Sequence, residues 1–137
     1  MITANTKAQD IVRELIERGI NQNDLSAVDD LVHPDYRYRT PTESLQGPEQ
    51  LKTIFTGYRE AFPDLEVIID QQFAEGGKVC TRLTLCGTHL GAFQGEPGTG
   101  RRMEVQGVVI SRVVDERIME EWELMDELAL VSQLGLT

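Results

Sequence analysis

Cysteine is scarce in this chain, with two residues among 137, Cys80 and Cys86. Both fall in one extended run, where six steps of ~3.3 Å hold their backbones about 20 Å apart, beyond disulfide reach. They read as reduced packing residues. No Cys-x-x-Cys pair and no histidine at finger spacing occurs, so structural zinc and thioredoxin-like redox chemistry lack their ligands. Histidine is equally rare, with His33 and His89 alone. The absence of a Gly-x-Ser-x-Gly elbow and of His-Glu-x-x-His removes the familiar hydrolase nucleophile and the zinc-protease base. Positive charge is in deficit: 13 lysines and arginines face 23 acids, a net charge of −10. Such a surface repels phosphate backbones and anionic lipid heads, which argues against nucleic-acid and membrane partners. No window reaches the ~18–20 apolar residues that cross a bilayer, and the polar stretch Met1 to Asp10 is unlike a secretory signal. A soluble, cytoplasmic protein is expected. Apolar residues make up 40% of the chain, enough for one hydrophobic core and not two, so residues 1–137 read as a single domain.

The first third carries helical periodicity. Ala8, Ile11, Val12, Leu15 and Ile16 form one stripe, with Gly19 expected to end the helix. Asn23 or Asp24 can cap a short second helix bearing Leu25, Val28, Leu31 and Val32, which His33-Pro34 stops. Tyr36 to Thr40 reads as extended. Gly47-Pro48-Glu49 opens a third helix with Leu51, Ile54, Phe55, Tyr58 and Phe62 on its apolar side. Strands follow over Leu65 to Phe73, Val79 to Thr88, Met103 to Val114 and Ile118 to Met125, with turns at Glu75–Lys78 and Asp115–Arg117. Asp126 to Leu134 closes as a short helix before Gly135. Helices first and an antiparallel meander after them define an α+β fold: three N-terminal helices on a mainly antiparallel sheet of four to six strands.

Three amphipathic helices cover one face of such a sheet. Val105, Val109 and Val113 share one side of their strand, Val108 and Ile110 the other, so homodimerisation through the open sheet face is expected. A C-terminal helix folded back over that face is the alternative.

The glycine-rich segment Gly91 to Arg101 has the outer spacing of a Walker loop between Gly95 and Gly100. Arg101-Arg102 stands where lysine and a hydroxyl are needed, and a strand follows, so it reads as a long, mobile strand connection. Chemistry is sought among polar residues at strand positions. Arg82 lies mid-strand, requiring water outside or a carboxylate inside. His89 ends that strand beside the loop, and an imidazole there exchanges protons near neutrality. Glu104 and Gln106 share a face with Val108 and Ile110, a pattern that fits a pocket wall, and a desolvated Glu104 would gain basicity. By strict parity Trp122 shares a face with Ile118, Glu120, Leu124 and Asp126, which puts its indole inside. Tyr36, Tyr38 and Tyr58 offer phenols to a developing oxyanion. Alternation sends Glu120 to Glu123 to opposite faces, so they do not converge on one cation and read as a solvated edge.

Several of these residues stand in a familiar arrangement: Phe55 to Leu65 (FTGYREAFPDL), Arg82-Leu-Thr-Leu-Cys-Gly-Thr-His89, Gly91-Ala-Phe-Gln-Gly, Gly98-Thr-Gly-Arg, and Glu120-Glu-Trp with Asp126. Over nearly its whole length the chain resembles the SnoaL-like polyketide cyclase family. The resemblance implies the cone-shaped α+β fold of nuclear transport factor and ketosteroid isomerase, with helices packed in a curved sheet around a pocket and homodimeric assembly. It implies ring closure by intramolecular aldol chemistry, without metal or organic cofactor, through a pocket aspartate and a nearby histidine. His89 matches the histidine of the Gly-Thr-His motif. The strand after the loop carries Glu104 and Gln106 and no aspartate before Asp115; an inward Glu104 would replace the acid, whereas Gln106 there would only hydrogen-bond.

The expectation is a cofactor-independent cyclase or isomerase acting on an activated carbonyl compound. Glu104 or His89 would remove a proton while Arg82, Gln106 or a tyrosine stabilises the enolate, with Trp122 lining the site. A ligand-binding module without turnover is the non-enzyme alternative. Epoxide opening, which needs two carboxylates and an arginine around one water, ranks below both.

Overall fold

The computed structural model describes residues 3–136. Thr3 caps the first helix, α1 (Ala4–Glu14), by accepting from the Thr6 amide at 3.1 Å. The helix does not stop at Gly19: it runs on as a π-helical turn, Leu15–Asn21. Gly19 is buried there because a β-carbon would meet the Phe55 ring at 3.1 Å, so its role is close packing rather than termination. Asn21 then clamps the start of a strand, donating to the Val67 carbonyl at 2.9 Å and accepting from the Val67 amide at 2.7 Å. The side-chain amide stands in for a neighbouring strand.

After α2 (Ser26–Leu31) come β1 (Val32–Arg39), a short β2 (Ser44–Gln46) and α3 (Pro48–Ala61), the last opened by Pro48 behind Gly47. The meander β3 (Glu66–Glu75), β4 (Lys78–Thr88), β5 (Arg102–Val114) and β6 (Arg117–Met125) ends in α4 (Glu127–Gln133), which Asp126 caps by accepting from Ala129 at 3.0 Å. The six strands form one sheet in the order β2-β1-β6-β5-β4-β3. All neighbours are antiparallel except β1 and β6, which run parallel. That pairing and β2 lie outside what periodicity announced.

The sheet curls around α1, the π-helical turn and α3 as a cone. Its concave face carries Val67, Val79, Leu83 and Val109 against Val12, Leu15 and Leu51. A second apolar cluster joins Ala61, Phe62, Phe93 and Met103 to Leu130 of α4 and to Leu134 just after it, so the last helix closes the cone's end. It leaves the convex face bare: Ile110, Trp122 and Leu124 are 41%, 49% and 53% exposed.

The segment between β4 and β5 is tied down rather than free. Leu90 and Gly91 donate to the Ala61 carbonyl at 3.0 and 3.1 Å, and Phe93 is buried. A β-carbon on Gly91 would lie 2.1 Å from the Glu60 carbonyl oxygen, which accounts for glycine there. Cys80 and Cys86 are free thiols. No helix among the described residues is long and apolar enough to cross a membrane.

Candidate active site

The site is set by one irregularity in β6. Val113 pairs with Ile118 and Arg112 with Glu120, so Met119 is an extra residue, a bulge. Ile118 is buried inside the cone, but the bulge reverses the parity beyond it. Glu121 pairs with Ser111 and Glu123 with Val109, residues of the concave face, whereas Trp122 pairs with Ile110 on the convex one. Two carboxylates therefore enter the cone and the indole leaves it.

β1 lies beside β6 and brings a tyrosine to each carboxylate. The Tyr36 hydroxyl donates to Glu121 Oε1 at 2.8 Å, and the Tyr38 hydroxyl donates to Glu123 Oε2 at 2.6 Å. The Ser111 hydroxyl donates to Glu121 Oε2 at 2.7 Å. Both glutamates lie deep in the cone, keeping only the access that the cavities provide. Burial pushes the Glu123 carboxyl up to about 7; the Tyr38 hydrogen bond opposes the rise, and the charges of Glu121 and Glu127 add to it. Burial raises Glu121 as well, against its bonds from Ser111 and Tyr36. The Tyr38 and Tyr58 phenols are pushed upward, first by burial and then by the nearby Glu123, so both remain protonated donors.

The cone contains two adjoining chambers. The outer one, about 420 Å³, opens between β1, α3, α4 and the segment after β4. The inner one, about 90 Å³, is walled by apolar side chains such as Leu15, Leu51, Val67 and Val109. Tyr38, Ile54, Tyr58, Leu85 and Glu123 line both, so Glu123 stands at their junction. The outer chamber is also bordered by Glu43, Glu60, Asp126 and Glu127, and among the described residues no lysine, arginine or histidine lines either chamber. Among the described residues the Tyr58 hydroxyl has no protein hydrogen-bond partner, and no group of three His, Cys, Asp or Glu side chains is placed to hold a metal ion.

The residues singled out in the sequence divide between the two faces. Tyr38 and Tyr58 line the chambers, and Tyr36 lies behind them as the partner of Glu121. Arg82, Glu104 and Gln106 are exposed on the convex face: Arg82 pairs with Val108, and Gln106 with the outward Thr84. The reason is alternation, since Leu83, Leu85, Val105 and Gly107 take the inward positions. Glu104 instead meets the Cys86 thiol at 3.7 Å, and its backbone is bridged by Gln133. Trp122 is likewise outside.

His89 is fully buried but lines neither chamber. Its Nδ1 accepts from the Thr99 amide at 3.2 Å and lies 3.0 Å from the Thr99 hydroxyl, while the ring packs among Phe62 and Phe93. Nε2 has no hydrogen-bond partner. The histidine ties Thr99 of the segment after β4 to the aromatic cluster at the end of the cone. Glu121 and Glu123 are the functional candidates that strict alternation hid, and Ser111, in phase with Val109, went unremarked. Two glutamates two residues apart in a strand are the signal that was present, once a bulge is allowed for.

A curved-sheet cone with a carboxylate and phenols at the neck of an internal cavity defines a class of small pocket proteins. The family model for SnoaL-like polyketide cyclase matches residues 10–134, and the chain belongs to that family. Aklanonic acid methyl ester cyclase DnrD of Streptomyces peucetius is 30% identical over 92% of this chain and 89% of its own length. Nogalonic acid methyl ester cyclase of Streptomyces nogalater is 30% identical over 79% of this chain and 83% of its own. Among solved structures, TsrD from Streptomyces laurentii superposes with a TM-score of 0.89 at 27% identity, covering 98% of this chain and 99% of that one. Similarity to polyketide cyclases supports a cyclase role for this chain.

Proposed function

We propose that the protein closes a ring in a neutral, polyketide-like ester by an intramolecular aldol reaction, with Glu123 as general base and no metal or organic cofactor. The observation that carries this reading is the position of Glu123 at the junction of the two chambers, with one oxygen held by Tyr38 and the other unengaged. A carboxyl group poised near neutrality is matched to removing a proton from carbon between two carbonyls. The Glu123 carboxylate takes that proton; the enolate carbon attacks a ketone carbonyl elsewhere in the same molecule and forms the new carbon–carbon bond. The resulting alkoxide is then protonated, which returns Glu123 to its ionised form. Tyr58, with its hydroxyl unengaged, donates to the enolate oxygen as charge develops there.

The ring of carboxylates at the outer chamber, without a single cation, disfavours a free acid and favours its ester. Esters are also what the names of the methyl ester cyclase relatives record. The epoxide-opening alternative lacks its arginine, because Arg82 faces away from the chambers.

The experiment is turnover of aklanonic- and nogalonic-type methyl esters followed by chromatography, with the wild-type protein, Glu123→Gln and Tyr58→Phe. Cyclised product formed by the wild type and lost in Glu123→Gln supports the reading. Tight binding of these esters without product would instead make the chain a binding module of the same fold.

The convex face extends the proposal to assembly. Ile110 pairs with Trp122 and Val108 with Leu124, giving an apolar patch bordered by Arg37, Arg39, Arg112 and Glu120. A second copy related by a twofold axis would cover the apolar centre and set arginines against acids at the rim. Sedimentation of the protein at micromolar concentration tests it, with a dimer expected and a monomer contradicting it.

A further inference from the structure

Glu121 is a buried carboxylate that the cyclisation above leaves without a task. It precedes Glu123 by two positions on the same strand and faces the same interior, bordering the inner chamber and not the outer one. Its surroundings are built: Oε1 accepts from Tyr36 and Oε2 from Ser111, side chains whose residues are 1% and 0% exposed. Glu123 accepts from one hydroxyl, and its second oxygen is left to the cavity. Two hydroxyl donors favour the ionised form of a carboxylate, one donor favours it less, and two charges so close in a water-poor interior resist coexisting. No lysine or arginine lines either chamber to neutralise the second charge. The pair is therefore asymmetric by construction.

We infer that Glu121 is a positioning residue: its carboxylate, locked by Tyr36 and Ser111, is a fixed buried negative charge that makes Glu123 the member of the pair that takes up and returns the substrate's proton. The inference rests on Glu123 being the base. The groups facing Glu123 are Glu121 from its own strand, Tyr38 from β1, Tyr58 from α3 and Glu127 from α4, with Glu43 beyond Tyr58. The repulsion from Glu121 falls on Glu123, in the direction the inference requires.

The first readout is protonation itself, and it needs no substrate. Carbon-13 spectra of protein labelled at the glutamate side-chain carboxyl are recorded across pH for the wild type, Glu121→Gln and Ser111→Ala, with Glu123→Gln assigning the Glu123 signal. In Glu121→Gln the Glu123 midpoint falls by about one pH unit or more, a tenfold change in proton affinity. In Ser111→Ala, which keeps Glu121 and removes one of its donors, the gap between the two glutamate midpoints narrows. The acid limb of kcat/KM moves with the Glu123 midpoint. A Glu123 midpoint unchanged in folded Glu121→Gln, or a gap unchanged in Ser111→Ala, overturns the inference. Failure of the base reading is separate: it shows as full turnover in Glu123→Gln, whatever the titrations give.

Discussion

Strand β6 sends consecutive carboxylates to opposite faces of the same sheet, and their acidities diverge. Glu120, outside, accepts from Arg112 at 3.0 Å, and that hydrogen bond holds its carboxyl below the usual range. Glu121, inside, meets hydroxyls and no cation, and burial pushes its carboxyl upward. The convex face carries Arg82, Glu104, Gln106 and Trp122, which together resemble a pocket wall in composition; the concave face carries Glu121, Glu123, Tyr38 and Tyr58, which form one. Glutamate stands on both. What separates the candidate site from a solvated surface here is access to water and to arginine, and on β6 a single inserted residue decides which side chains receive which.

The sharpest way to break that contrast is to neutralise one acid from each face. Glu123→Gln should lower kcat/KM for ring closure by about 10²- to 10⁴-fold, the range of a lost general base. Glu104→Gln should leave it within about twofold, since an exposed convex-face residue acts on nothing in the chambers. Steady-state kinetics on the two purified variants decides it.

Stability separates the faces next. The Glu123 carboxyl lies near 7 in the folded protein against 4.5 unperturbed. Its favourable contribution is therefore present below the unfolded value and lost as pH rises through about 7. Glu123→Gln should consequently stabilise the protein by about 3 kcal/mol at pH 8, with the gain fading toward zero by pH 4. Urea denaturation at the two pH values measures it, and a gain larger at pH 4 than at pH 8 contradicts the burial argument.

Tyr58→Phe removes a donor without emptying space, and should lower kcat about tenfold with little change in KM. A tenfold rise in KM with kcat unchanged would make Tyr58 a binding contact. The smallest effect on chemistry is expected outside: Trp122→Glu should leave activity per protomer nearly unchanged while shifting sedimentation from dimer to monomer.

How far these assignments were legible in the amino-acid sequence depends on the register of each element. Periodicity located α1, α3 and the four long strands, because apolar stripes such as Leu51, Ile54 and Phe55, or alternation such as Val79, Thr81 and Leu83, survive in the fold unchanged. The motif residues carried the family, down to Gly-Thr-His at the end of β4. Within the site, Tyr38 and Tyr58 were visible as phenols, Tyr58 on the apolar side of its helix. The convex-face assignments of Glu104 and Gln106 required the phase of β5, which apolar residues on both sides leave open: Val108 and Ile110 are as apolar as Val105 and Val109. The Met119 bulge left no mark of its own, and it carried Trp122 outward and Glu121 and Glu123 inward. Gly19 and the π-helical turn show the same limit, since a glycine admitted for close contact with Phe55 has the spelling of a helix terminator.

The most direct test of a Glu123-centred site is the pH dependence of kcat/KM for ring closure of a polyketide methyl ester, measured side by side for the wild type, Glu123→Gln and His89→Asn. The account predicts an acid limb near pH 7 in the wild type that is retained in His89→Asn, and a residual, pH-independent rate in Glu123→Gln. A limb that persists undiminished in Glu123→Gln and disappears in His89→Asn would contradict it and return the proton to the histidine.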